Sequence, residues 1–274
     1  MTKFCEKYGP WALVTGASAG IGEEFARQLA AQGLNVVIAA RRKERLGALA
    51  AQLKEQYGVE VRTVVCDLYQ DDYLDLLDEA TKDLEIGLLV NNAGHPAMRV
   101  YLMDRAWQDI EAFLRFNVTV QVRLSHFFGR PMKERGRGGI IQVSSIHGHL
   151  AMPTFVEYSS TKAFQLSFSE SLHHELKPFG VDTLVVAPGA TISERISEGM
   201  TAEFVVKSTL NALGKKASIV PGFRNWFWMF RWRQFATRNR MVKLCARMLS
   251  GSPMEGDGSF SNSRKPDEPM ESSI

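Results

Sequence analysis

The chain has 274 residues, 45% of them hydrophobic, enough to bury one substantial core. A net charge of +3 is too small to suggest nucleic-acid binding, and three widely spaced cysteines (Cys5, Cys66, Cys245) indicate neither a disulfide framework nor a metal site and fit a reducing cytoplasm. The first ten residues, MTKFCEKYGP, lack a signal peptide's apolar stretch, and no run of about 18 apolar residues occurs, so a soluble cytoplasmic protein is expected.

In chain order, short apolar runs predict strands over 12–15, 35–40, 59–66, 87–91, 139–144, 181–187 and 218–220. Amphipathic stretches between them predict helices, among them 22–32, 42–57 and 72–83. The strands are apolar almost throughout (Val36-Val37-Ile38, Leu88-Leu89-Val90, Leu184-Val185-Val186), as strands covered on both faces must be. Repeated strand–helix–strand units imply right-handed crossovers. The expected fold is therefore α/β, a single Rossmann-type doubly wound parallel sheet of about seven strands with helices on both faces. It would occupy 1–222, followed by an aromatic and basic helical extension over 223–250. From 251 to 274 the chain is polar and rich in Gly, Ser and Pro, which predicts a disordered tail.

The first strand runs into Thr15-Gly16-Ala17-Ser18-Ala19-Gly20-Ile21-Gly22. Glycines at 16, 20 and 22 let backbone approach a pyrophosphate, and the helix that follows offers free N–H groups and a favourable dipole. Taken alone, such a turn could be only a tight connection. The second strand ends in Arg41-Arg42 where an acidic residue would bind the ribose hydroxyls of NAD. A guanidinium fork suits a 2′-phosphate, which predicts NADPH/NADP+ over NADH/NAD+; the alternative is a solvated helix start.

Downstream, Tyr158 and Lys162 stand four apart and so share a helix face, thirteen residues after Ser145. An ammonium near the phenol is expected to lower its pKa and make Tyr158 an acid–base catalyst, while Ser145 at its strand end can hold a substrate oxygen. A tyrosine and lysine at this spacing also occur by chance.

The ordered set Thr15–Gly22, Asp67-Leu68, Asn91-Asn92-Ala93-Gly94, Phe116-Asn117-Val118, Ser144-Ser145, Tyr158–Lys162 and Pro188-Gly189 resembles the short-chain dehydrogenase/reductase family over residues 11–221. The resemblance implies a catalytic group of Asn117, Ser145, Tyr158 and Lys162. In it Lys162 also binds the nicotinamide ribose and Asn117 holds a relay water. It further implies cofactor contacts at Gly16, Ser18, Ala19, Gly20, Ile21, Gly22, Asp67, Leu68, Asn91, Ala93, Gly94, Pro188, Gly189, Thr191 and Ser193. Ser193 stands where threonine is more usual, and 194–200 matches a mobile loop over the substrate. The substrate wall would contain His95 and Pro96, then His147, His149, Met152, Pro153 and Phe155. The histidines at 95 and 147 replace smaller residues, with either a packing role or a second acid–base role.

Residues 223–249 mix Trp226, Phe227, Trp228, Phe230, Trp232 and Phe235 with seven basic residues and no acidic one. This segment could cap the pocket, join a subunit interface or lie on an anionic membrane surface; nucleic acid is a minor option. The motifs around 86–92 and 161–164 resemble the branch near 3-oxoacyl and 17β-hydroxysteroid reductases, which implies a bulky apolar ketone. A homodimer or homotetramer through the helices of Asn117 and Tyr158 is the family's common state. The sequence thus predicts NADPH-dependent reduction of a ketone to a secondary alcohol. The alternatives are an NAD-linked alcohol dehydrogenase, a membrane-associated lipid reductase, or a non-catalytic NADP-binding regulatory or scaffold protein.

Overall fold

A computed structural model of the chain describes residues 2–194, 196–227 and 237–249. Seven strands form one parallel sheet: β1 (Trp11–Thr15), β2 (Asn35–Ala40), β3 (Val61–Val65), β4 (Ile86–Asn91), β5 (Gly138–Val143), β6 (Val181–Val186) and β7 (Ser218–Ile219). Their spatial order is β3-β2-β1-β4-β5-β6-β7. The order reverses between β1 and β4, which opens a crevice at their carboxyl ends. The expected third strand is shorter at both ends than 59–66, and the seventh is a two-residue edge.

Side chains alternate across the sheet because successive residues of a strand point to opposite faces. Ala12, Val14, Val36, Ile38, Val90 and Val186 face one layer. It consists of α2 (Gly20–Ala31), α3 (Lys43–Tyr57) and α8 (Ala202–Ala212), which supply Phe25, Leu29, Leu46, Leu53, Val205 and Val206. Leu13, Val37, Leu89 and Ile140 face the other layer, where α4 (Tyr73–Thr81), α6 (Val120–Arg135) and α7 (Val156–Leu176) contribute Tyr73, Leu77, Leu124, Phe128, Met132 and Leu176. Each such buried side chain contributes about 1.5–3 kcal/mol.

Two further helices position the sheet and the site. At the N-terminus, α1 (Lys3–Tyr8) is capped by the Thr2 hydroxyl, which accepts from the Cys5 N–H. Tyr8 then donates to Asp182 at 2.5 Å, fastening α1 to the start of β6. The second, α5 (Trp107–Leu114), runs into one π-helical turn over Arg115–Thr119 before α6 begins. That widened turn carries Asn117.

In the extension, residues 223–227 are helical and α9 spans Arg238–Leu249. No helix among the described residues is long and apolar enough to cross a membrane. The expected disordered tail, 251–274, lies outside the described residues, as do Trp228, Phe230, Trp232 and Phe235.

Candidate active site

The turn after β1 is a cradle that glycine alone fits. Gly16 and Gly20 have φ of +67° and +59°. A Cβ on Gly22 would stand 2.4 Å from the Asn92 amide nitrogen and 2.4 Å from the Gly16 carbonyl. Asn92 donates its side-chain amide to the Thr15 carbonyl at 2.9 Å, while the Thr15 hydroxyl accepts from the N–H groups of Asn92 and Ala93, each at 3.1 Å. At the start of α2 the N-cap is Ala19, which has no side chain to bond the first turn, and a Cβ on Gly20 would meet nothing within 4 Å. Half-buried Ser18, Ala19 and Ile21 complete the turn. Open space over uncapped helical N–H groups fits the pyrophosphate of a dinucleotide.

Toward the adenosine end, Arg41 is exposed and acts electrostatically on half-buried Tyr69. Arg42 is engaged within the protein: it donates to the Ser18 hydroxyl and carbonyl, both at 3.1 Å, and pairs with Glu194. Arg45 also binds Glu194, a partner the sequence did not suggest. The Asp67 carboxylate accepts from the Tyr69 N–H at 3.1 Å. Leu68 and Asn91, two of the expected cofactor contacts, have buried side chains. Leu68 packs into the core, and the Asn91 amide is turned inward to Ser125, Gln142 and the Gln121 carbonyl. Ala93 and Gly94 follow on the rim, where a Cβ on Gly94 would lie 3.5 Å from both Asn117 Oδ1 and Lys162 Nζ.

The four residues expected to be catalytic lie in this region. Ser145 leaves β5 in an extended conformation, and its hydroxyl accepts from the His147 N–H at 3.3 Å. Tyr158 and Lys162 sit on one face of α7, with the ammonium 5.7 Å from the phenol ring centre. Lys162 is fully enclosed and donates to the Val143 carbonyl at 3.1 Å and to Gln165 Oε1 at 3.0 Å. Asn117 donates its amide to the Phe113 carbonyl, accepts from the His95 N–H through Oδ1, and accepts from Gln165 through its backbone carbonyl.

One electrostatic expectation is reversed. The lysine was expected to lower the Tyr158 pKa, yet burial raises it above the ordinary phenol value, and interaction with Ser145 only partly opposes that. The dominant cost falls on charge in a dry site. The same burial brings Lys162 down to about 8. Tyr158 is consequently a neutral phenol at neutral pH, the form that donates a proton.

On the substrate side, the His95 ring lies 5.1 Å edge-on to Phe113 and 6.3 Å from Tyr69, and its Nδ1 meets the Pro96 carbonyl, so it is built into local packing. His147 stands edge-on to Tyr158, ring centres 5.5 Å apart, and touches Phe155 at 5.7 Å. Burial, with help from Lys162, lowers its pKa, so it is a neutral imidazole. His149 ends the short turn that His147 occupies, and Met152 and Phe155 bracket Thr154 before α7. Thr154 has φ +65°, a strained setting for a β-branched residue, held because its carbonyl accepts from the Val100 N–H and its hydroxyl from Arg99.

The segment after β6 closes over this region. The Pro188 carbonyl accepts from the Ile146 N–H, and a Cβ on Gly189 would strike Asn225 at 2.8 Å. Thr191 is buried and bridges to Met200; Ser193 donates its N–H to the Ile196 carbonyl. From the extension, Asn225 reaches Met200 and the Pro221 carbonyl, and Arg99 donates to the Leu249 carbonyl.

Several functional contacts have no local sequence signal. Asn92 and Gln165 act on groups 77 and 48 residues away. Directly before Tyr158, Glu157 is ion-paired with Arg105, with side chains 4% and 0% exposed. An Asn-Asn pair after a strand was the one visible hint; the inward turn of Asn91 leaves the clamp to its neighbour.

Residues 10–201 match the family model described as short chain dehydrogenase. The chain is 31% identical over 253 residues to the 7β-hydroxysteroid dehydrogenase of Collinsella aerofaciens, across 87% of this chain and 95% of the relative. A structure solved to explain 7β-hydroxysteroid dehydrogenase stereoselectivity superposes with a TM-score of 0.85 at 30% identity, covering 89% of this chain and all (100%) of the other. A short-chain dehydrogenase from Sphingobium yanoikuyae in complex with NADPH gives a TM-score of 0.72 at 31% identity, covering 82% and 94%.

Proposed function

The chain belongs to the short-chain dehydrogenase family and is an oxidoreductase acting on CH–OH/C=O groups, and from that premise we propose that it reduces bulky apolar ketones with NADPH, steroid ketones foremost. The observation that carries this reading is the placement of Tyr158, hydrogen-bonded with Ser145 and with the Lys162 ammonium 5.7 Å from its ring centre. In reduction, Ser145 hydrogen-bonds the carbonyl oxygen and Tyr158 passes its proton to that oxygen as it becomes an alcohol. Lys162 offsets the negative charge left on the phenolate. A nicotinamide bound there would supply the hydride for the carbonyl carbon. The glycine turn would hold its pyrophosphate, and Arg41, with Arg42 and Arg45 nearby, would take the 2′-phosphate.

The steroid assignment draws on the hydroxysteroid dehydrogenase relatives and on His147, which stands edge-on to Tyr158 and against Phe155. Contacts from Asn225 to Met200 and from Arg99 to Leu249 support the extension as a cap on this cleft rather than a membrane anchor. Vesicle co-sedimentation that depends on residues 223–250 would contradict the cap reading. A second copy of the chain is assigned to the outer face of α7, where Phe164 and Phe168 stack 5.7 Å apart beside a groove of about 290 Å³. Light scattering that returned a monomer mass would remove that assignment.

The test of function is NADPH oxidation on steroid, acyl-thioester, aromatic and aliphatic ketones. Turnover on the steroids that exceeds the small aliphatic ketones supports the proposal; the opposite ranking removes the substrate class.

A further inference from the structure

Gln165 is one turn beyond Lys162 on α7 and is 1% exposed. Its carboxamide lies between two groups of the catalytic set: Oε1 accepts from Lys162 Nζ at 3.0 Å, and Nε2 donates to the Asn117 carbonyl at 2.8 Å. Both ends are therefore matched in the sense an amide allows, and the arrangement fixes which way the amide points. The Val143 carbonyl is the other acceptor of the ammonium, on the far side of the strand end. A buried ammonium costs free energy unless acceptors surround it. Among the described residues no carboxylate hydrogen-bonds Lys162, and two neutral oxygens accept from it.

We propose that Gln165 is a positioning residue for Lys162, its amide fixing the ammonium beside Tyr158 and sustaining its charge by linking it to the Asn117 carbonyl. This rests on the reading of Tyr158 and Lys162 as the acid–base pair. An amide passes no proton between its neighbours, so the Asn117–Gln165–Lys162 link is a brace and not a proton wire.

The titratable groups facing Lys162 are few. Tyr158 stands on its own helix, and His147, on the turn after β5, has its pKa lowered by burial and by the Lys162 charge. His95 follows Gly94 on the loop after β4. The neighbouring charges are committed elsewhere: Glu157 to Arg105, and Arg115 of the π turn to Asp71.

The experiment uses the full chain with ¹³C-labelled lysine side chains, the Lys162 signal being assigned through Lys162→Arg. It is titrated in wild type, Gln165→Leu and Gln165→Glu. Loss of the amide acceptor in Gln165→Leu lowers the Lys162 midpoint by about one pH unit, and the carboxylate of Gln165→Glu raises it by about as much. The basic limb of the pH profile for ketone reduction moves in the same two directions. A residue that only fills space would not move the midpoint both ways. Far-UV circular dichroism checks folding, and Gln165→Met replaces the leucine variant if that one does not fold. Coincident midpoints in all variants overturn the proposal even if Tyr158→Phe is inactive. Turnover retained by Tyr158→Phe instead removes the acid–base reading and leaves the midpoints to report on the brace alone.

Discussion

The side-chain amide of Asn92 donates to the Thr15 carbonyl at 2.9 Å, tying the end of β4 to the glycine turn that follows β1. The same nitrogen lies close enough to Gly22 that any side chain there would collide with it. The floor of the nucleotide cradle is thus one residue's amide. We expect Asn92→Ala to weaken NADPH binding about tenfold, the loss of one buried hydrogen-bonding group at a functional turn. Fluorescence titration with NADPH reads this; unchanged affinity would show that the turn holds its shape without the clamp.

Arg105 and Glu157 form an ion pair with almost no access to water, and Glu157 directly precedes Tyr158 in the chain. Removing one partner strands the other charge. Glu157→Ala should lower stability by about 3–5 kcal/mol, whereas Arg105→Met combined with Glu157→Leu should recover most of the loss. Urea unfolding of the three variants checks this, and a double variant no better than Glu157→Ala would contradict it.

The two arginines after β2 separate in the structure. Arg41 is exposed, while Arg42 braces Ser18 of the turn. Arg41→Ala should raise KM for NADPH about tenfold and leave NADH nearly unchanged, since only one cofactor carries the extra phosphate. Arg42→Ala should weaken both. Equal losses at Arg41 for the two cofactors would remove it from the 2′-phosphate.

Lys162, held near 8 by burial, sits below the ordinary lysine value of about 10.4. Between those values the unfolded chain binds a proton that the native chain does not, so this lysine's contribution to stability rises with pH across that window. Relative to Lys162→Met, wild type should gain about 2.5 kcal/mol between pH 8 and about 10.5. Denaturation at both pH values reads the difference, and a constant gap would show that the ammonium is better solvated than its surroundings suggest.

What could be read from the sequence was local. The glycine turn and the Tyr158–Lys162 spacing each lie within one element, and the apolar runs gave the strand order's raw material through their alternation with helices. What could not be read depends on residues far apart in the chain. Asn91 and Asn92 are chemically identical neighbours, and only the packing of α6 turns the first inward and leaves the second to the glycine turn. Arg42 finds Glu194 across 152 residues. The sign of the Tyr158 shift needed burial, which composition does not supply: the nearby ammonium alone would have lowered it.

The central claim is that Tyr158 donates the proton in an NADPH-dependent ketone reduction. NADPH oxidation by purified wild type and Tyr158→Phe on the same steroid ketone tests it most directly. The account predicts turnover in wild type and a loss of at least about a hundredfold in the variant, with NADPH affinity preserved. Equal turnover in the two proteins would contradict it.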